Sequence, residues 1–388
     1  MVVVSGIGIV SAIGRGVEEN LESLRHGRSG IGSIENFDTE IDVPVGEVKM
    51  SNDELTHELG IDTRRSMSRT SLLGMMAAEE ALSDAMLNDR QHVALISSTS
   101  VGGMDMTPLF YEKFMKETDR GRLRYVAQHD CAASTNAIAK HCGIEGYRTA
   151  ISTACSSAAN SIQMASRLIE NGLADTVIAG GTDALCRYTI DGFKSLMILD
   201  TECCRPFDDT RSGLNLGEAA AYVVLQSESI ARKKYCYLAG YANANDAFHQ
   251  TAVSSSGAGP RKAMEEALLK AGMSPNDISY INAHGTGTPN NDASELTAIE
   301  SIWGDRVPLF SSTKSMTGHT LAAAGAIEAV YSVLALQYQQ VWPNINFVNP
   351  MSDKNSVPVR ECVPCEVNAV LSNSFGFGGN CTSLIFRR

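Results

Sequence analysis

Cys155 stands in the run Ile151-Ser-Thr-Ala-Cys-Ser-Ser-Ala-Ala-Asn, directly ahead of a stretch from Ser157 to Asn171 that reads as a helix. A thiol at a helix N-terminus meets unpaired N–H groups and the positive end of the dipole, which favour the thiolate. Such a thiolate can take up an acyl group while backbone N–H groups hold the oxyanion. Two more segments each set a histidine in a Gly-rich frame: Asn282-Ala-His284-Gly-Thr-Gly-Thr-Pro and Ser312-Thr-Lys314-Ser-Met-Thr-Gly-His319. Glycines there let the backbone approach a substrate closely. An isolated cysteine is usually a small buried hydrophobe, and an isolated histidine a structural hydrogen-bonder. Only the combination of frames argues for chemistry.

Cys204-Arg-Pro-Phe-Asp208, Gly217-Glu218 and the terminal Asn373-Ser-Phe-Gly-Phe-Gly-Gly-Asn380 complete a series in fixed chain order. This series resembles the motifs of the elongating 3-ketoacyl-[acyl carrier protein] synthases, the beta-ketoacyl synthase I/II type of the thiolase-like superfamily. The resemblance implies a decarboxylative Claisen condensation in fatty-acid or polyketide/polyene-type synthesis, joining an acyl group on Cys155 to malonyl-[acyl carrier protein]. It implies an oxyanion hole from the amides of Cys155 and Phe377, and an enolate held by His284 and His319. By the same resemblance Lys314 would order the site, and Glu328 would pair with it or anchor its loop. Thr286 and Thr288 would hold the phosphopantetheine arm, with Phe375, Phe377 and Gly378 also at the substrate and Val101 lining the acyl tunnel. Arg64, Arg65 and Arg69 form a basic cluster, a candidate docking surface for an acidic carrier protein. The expected partners are that carrier and a second copy of the chain, as a homodimer. No metal and no cofactor are expected, the substrates being carried on the phosphopantetheine of the carrier protein.

Residue types separate this reading from its neighbours. Degradative thiolases need a second catalytic cysteine near the C-terminus, where only Cys381 is available, and initiating synthases use Cys, His and Asn. The alternative is a synthase-like partner in a heterodimer that shapes the pocket without turning over, against which Cys155 argues. Asn380-Cys381 departs from the Thr-Asn or Asn-Asn usual after the Gly-rich loop, and His129-Asp-Cys-Ala-Ala and a shortened Leu199–Arg205 stretch are further departures. Gly6-Ile-Gly8 fails as a dinucleotide fingerprint because Ser11 stands where its third glycine belongs. Cys362-Val-Pro-Cys365 and Cys203-Cys204 lack a second ligand pair at zinc spacing and read as free thiols.

The elements needed to present these loops follow from the hydrophobic pattern. Val2–Val4, Val93–Ser97, Thr176–Ala179, Ala221–Leu225, Tyr235–Ala239, Ile278–Asn282, Leu309–Ser311, Ala369–Ser372 and Ser383–Phe386 read as strands. Thr70–Met86, Ser157–Asn171, Arg261–Ala271 and Ala322–Gln337 read as helices between them, an α/β layering. The family resemblance implies a thiolase-like fold, two βαβαβαββ halves in a five-layer α-β-α-β-α sandwich. No internal sequence repeat is strong enough to show it. Residues 1–240 are assigned to a half carrying Cys155, and 241–388 to a half carrying both histidines. The 388 residues allow a large core, and 44% hydrophobic against 20% charged residues excludes a disordered chain. A net charge of −12 opposes nonspecific nucleic-acid binding as the main task. Ten cysteines without a secretory leader lead to the expectation of a reducing, cytoplasmic location. Leu321–Leu336, the longest apolar stretch beyond the N-terminus, carries Glu328 and is short for a membrane span.

Overall fold

Strands that are apolar on both faces must lie between two layers of helix, and Ala219–Ser227 meets that condition. Ala219, Ala221, Val223 and Leu225 pack into one core while Ala220, Tyr222 and Val224 pack into another, as the two-residue period of a strand requires. The computed structural model describes residues 1–62, 66–118 and 120–388. Among these, ten strands join in one sheet. They are β1 (Val2–Ser11), β2 (Ala94–Ser98), β3 (Arg148–Ile151), β4 (Thr176–Asp183), β5 (Ala219–Ser227), β6 (Cys236–Asn245), β7 (Tyr280–Asn282), β8 (Leu309–Ser311), β9 (Ala369–Gly376) and β10 (Asn380–Arg387).

Their order, β3-β2-β4-β5-β1 then β6-β10-β9-β7-β8, is one pattern used twice. In each half the first strand pairs antiparallel with the last, the last antiparallel with its predecessor, and the remaining pairs are parallel. The halves join where Val3 and Val4 of β1 face Tyr237 and Cys236 of β6. The internal repeat, invisible in the sequence, is thus plain in the topology. β6 opens the second half, so a boundary at residue 240 falls inside a strand. The division lies in the connection between β5 and β6.

Helices α1 (Arg69–Asp84) and α2 (Cys131–His141) cover the outer face of the first half. Helices α5 (Ala258–Ala271) and α6 (Pro289–Trp303) cover that of the second. Between the two sheet halves lie α3 (Ser157–Glu170) and α7 (Ala324–Tyr338), with α4 (Arg187–Ser195) nearer the surface. The layering is the α-β-α-β-α sandwich. Helix α7 and the turn before it, Leu321–Tyr338, form an 18-residue apolar run of which 89% is buried inside the protein. It is a core helix, apolar all round because both its sides meet a sheet. Gly8 of β1 and Gly240 of β6 occupy matching places: a Cβ would come within 2.1 Å of Ala77 O on α1 or 2.4 Å of Ala267 O on α5. The early Gly-x-Gly therefore brings a helix onto a strand.

Arg69 corrects an expectation. It is 4% exposed, and its guanidinium holds both oxygens of Glu218, at 2.6 Å and 2.9 Å, and the carbonyls of Met50 and Val48. A group so enclosed cannot dock a carrier protein. Arg64 and Arg65 lie outside the described residues. Glu218, for its part, also accepts the Val48 and Leu185 amides, which explains its place among the motifs. Removing one partner of a buried pair strands the other charge. Arg69→Ala should therefore cost about 3–5 kcal/mol in urea unfolding and leave the KM for carrier substrates of the folded protein unaltered; a raised KM without lost stability would restore the docking role.

Candidate active site

The turn from β3 into α3 brings Cys155 to the position just before the helix N-cap, Ser156, by way of Ala154, whose φ of +52° is an unusual left-handed conformation for a residue with a side chain. The end of β9 presses against this turn: a Cβ on Gly376 would lie 2.9 Å from Thr153 O and 3.1 Å from Cys155 N. His284 follows β7, and Lys314 and His319 follow β8. The Cys155 sulfur and one ring nitrogen from each histidine lie within 4.8 Å of one another, all buried. They line a cavity of about 300 Å³.

Hydrogen bonds fix the proton on each imidazole. Nδ1 of His319 accepts the Leu321 N–H at 3.1 Å. Nδ1 of His284 lies 3.3 Å from Nζ of Lys314, which can only donate. Each ring then carries its proton on Nε2, leaving two N–H donors for the cavity. Burial, with the Lys314 charge adding to it, holds both histidines well below their usual pKa, so they are neutral donors. The remaining Lys314 protons go to the His284 carbonyl at 2.6 Å and to Glu328. Burial pushes Glu328 up to about 7, with Lys314 opposing.

Cys155 differs from the sequence expectation. Burial pushes its thiol up to about 11, although the Lys314 charge and the amides of Phe377 and Cys155 all pull the other way. Desolvation outweighs the helix terminus because the cavity is apolar around the sulfur. The two amides that face the sulfur are the pair expected to form the oxyanion hole.

Phe375, Phe377, Thr286 and Thr288 all line the cavity, the two threonine hydroxyls 2.9 Å apart. Phe375 packs edge-on to the His284 ring at 5.8 Å. Gly378 and Val101 are not in the wall. Gly378, at φ +80°, donates its N–H to Gln250 O at 2.7 Å and so ties the loop to the segment at the cavity mouth. Val101 packs behind the wall with Leu214 and Phe193, which do line it.

Three positioning groups were not anticipated. Glu295, buried on α6, accepts the His284 and Gly285 amides, each at 2.8 Å, and Asn373 Nδ2 at 3.1 Å. A glutamate flanked by the buried face of Leu296, Ala298 and Ile299 was its only sequence signal. Asp183, at the end of β4, accepts the amides of Ser100, Val101 and Ala322, joining the Val101 loop to the turn after His319. Phe193 on α4 stacks on Phe377 with centroids 6.1 Å apart and carried no signal. One thiol and two imidazoles could in type be metal ligands. The Lys314 ammonium against His284 opposes a dication there.

Residues 1–231 match the family model "Beta-ketoacyl synthase, N-terminal domain", and residues 235–348 match "Beta-ketoacyl synthase, C-terminal domain". The gap between them is the connection from β5 to β6. The 3-oxoacyl-[acyl-carrier-protein] synthase 2 of Staphylococcus aureus (strain COL) is 34% identical, the match covering 100% of this chain and 98% of that protein. The solved structure titled the ishigamide ketosynthase/chain length factor aligns with a TM-score of 0.93 at 31% identity, covering 100% of this chain and 98% of that one. A type II polyketide ketosynthase structure, AntDE:AntF, in complex with its acyl-carrier protein and bound to the hexaketide, aligns with a TM-score of 0.89 at 28% identity, covering 100% and 98%.

Two outcomes test the electrostatics. Alkylation of Cys155 by iodoacetamide in the free protein should quicken about tenfold per pH unit from 7 to 10, because a raised pKa leaves the thiolate scarce until high pH; a plateau by pH 8 would refute the burial argument. The imidazole NMR signals of His284 and His319 should not titrate between pH 6 and 8, and Lys314→Ala, which removes a charge that lowers both, should move their titration upward.

Proposed function

Because the chain belongs to the beta-ketoacyl synthase family, we infer from its cavity how it condenses an acyl thioester with malonyl-[acyl carrier protein] to give 3-ketoacyl-[acyl carrier protein]. The observation that carries the residue assignments is the convergence of Cys155, His284 and His319 within 4.8 Å. In the first half-reaction Cys155 Sγ attacks the acyl carbonyl carbon. The amides of Cys155 and Phe377 hold the oxyanion, the bond to the pantetheine sulfur breaks, and the proton lost by the thiol ends on that sulfur. In the second, the bond from the malonyl α-carbon to its carboxylate breaks and carbon dioxide leaves. The electron pair is delocalised onto the thioester oxygen, held by the Nε2–H groups of His284 and His319. Their contribution falls on the transition state, since that charge appears only as the bond breaks. The α-carbon then attacks the acyl-Cys155 carbonyl, the thioester bond to Cys155 breaks, and the released thiolate takes a proton from solvent.

Thr286 and Thr288 offer hydroxyls to the amides of the pantetheine arm along the cavity mouth. No cofactor beyond that arm enters this reading. The pocket-shaping partner reading has less support, since such a subunit needs no nucleophile between two imidazoles. Ten free thiols favour a reducing, cytoplasmic setting. Self-association is favoured by the large apolar side chains exposed between 107 and 126 and on α4 and just beyond it, Leu123 at 74% and Met197 at 89% among them.

Intact mass spectrometry tests the reading: a panel of acyl carrier protein thioesters, then malonyl carrier protein, with Cys155→Ala as control. Expected are a covalent acyl adduct on the wild type alone, its loss on malonyl addition, and a 3-ketoacyl product. An adduct that persists, or forms equally on Cys155→Ala, would overturn the assignment. Leu123→Glu should shift the chain toward monomer in sedimentation velocity, and an unmoved profile would remove that face from the association.

A further inference from the structure

The two amides facing Cys155 Sγ belong to different halves of the fold, and one carboxamide oxygen links the segments that carry them. Oδ1 of Asn380, three residues beyond Phe377, accepts from Ser156 Oγ at 2.6 Å, Asn160 Nδ2 at 2.9 Å and Asn243 Nδ2 at 2.7 Å. Ser156 is the residue after the nucleophile and Asn160 lies in the first turn of α3. Asn160 Nδ2 also reaches Thr153 Oγ1 at 2.9 Å, on the other side of Cys155. Asn243 on β6 closes the network, its two N–H protons shared among Asn380 Oδ1, Asn160 Oδ1 at 3.0 Å and Thr382 Oγ1 at 2.8 Å. Three groups converge on one oxygen, two from the start of α3 and one from β6, and the Ser156 hydroxyl also has the Thr153 carbonyl within 2.8 Å.

We propose that Asn380 is a positioning residue for acyl transfer: it sets the Phe377 amide and the Cys155 amide at the separation where both meet one oxyanion. This rests on the condensation reading above. An oxyanion hole made from loops of two different halves has no covalent means of fixing its span, and an error of about 1 Å is enough to forfeit on the order of 100-fold in rate. Asn380 supplies a short polar connection from one donor's loop to the other donor's turn. Removing it loosens the donor pair while leaving the cavity, Cys155 and the two imidazoles in place.

The test separates three rates in wild type, Asn380→Ala and Asn380→Asp: single-turnover acylation by an acyl carrier protein thioester, alkylation of Cys155 by iodoacetamide, and decarboxylation of malonyl carrier protein. Only the first builds charge at the Cys155 and Phe377 amides. Asn380→Ala should slow acylation on the order of 10- to 100-fold and leave the other two within about twofold. Asn380→Asp, whose carboxylate accepts from the same donors, should recover most of the loss. Acylation unchanged in Asn380→Ala overturns the proposal, and so does an equal fall in all three rates, which a purely structural role gives. Should Asn380→Ala not fold, Asn243→Ala, an exposed donor to the same oxygen, should slow acylation alone to a smaller degree, and no change there also overturns it. A wild type that takes no acyl group from any thioester overturns the condensation reading itself.

Discussion

The Lys314 ammonium is buried among the layers, and the chemistry of the site depends on how that charge is satisfied. An ion taken so far from water needs every proton paired. Glu328, the His284 carbonyl and His284 Nδ1 take all three. This explains why a helix as apolar as α7 carries a buried carboxylate near its start, and why the β7 loop must return its carbonyl to the β8 loop. The same charge adds to burial in keeping both imidazoles neutral and opposes burial at the cysteine. One cation therefore bears on the protonation of three groups, and α7 is the layer where its counter-charge is held.

The repeated topology distributes the site between halves. Cys155 follows the third strand of the first half, and His319 follows the third strand of the second, each ahead of a central helix. The same loop is used once to place Cys155 and once to place His319. His284 comes from the loop after β7, whose counterpart after β2 holds Val101 and is gripped by Asp183. Phe377 comes from the β9–β10 turn. The reacting groups thus meet across the plane between two similar domains, and buried carboxylates at Asp183, Glu295 and Glu218 hold the loops of both to a common frame.

Most of the strands and the central helices were legible because two buried faces leave a continuous apolar run. What escaped did so for physical reasons. β3 is a four-residue edge strand beginning with an exposed arginine, too short for a periodic signal. Helix α6 starts Pro-Asn-Asn-Asp and buries Asp292 and Glu295, so its inward face does not look apolar. The trio of Cys155, His284 and His319 could be read from its sequence frames, Gly-rich for the two histidines, but the cysteine's pKa could not, since the opposing effects of helix terminus and desolvation are set by the cavity walls. Arg69 and Val101 were misjudged for a related reason: a sequence does not tell a charged residue on a helix face from one locked to a carboxylate 149 residues away, nor a wall from the layer behind it.

The Asn380 network has a consequence for how the chain comes to be active. Ser156 and Asn380 are 224 positions apart, so the amides of Cys155 and Phe377 can be brought together only after the last strand has paired. Contacts of such separation form late, because loop closure comes before any reward. Until the second half closes over it, the thiol lacks both the Lys314 charge that lowers its pKa and the second-half walls whose burial raises it. The order of the segments along the chain thus makes assembly of the site a late event, and a cysteine without donors or walls waits until the molecule that controls it is whole.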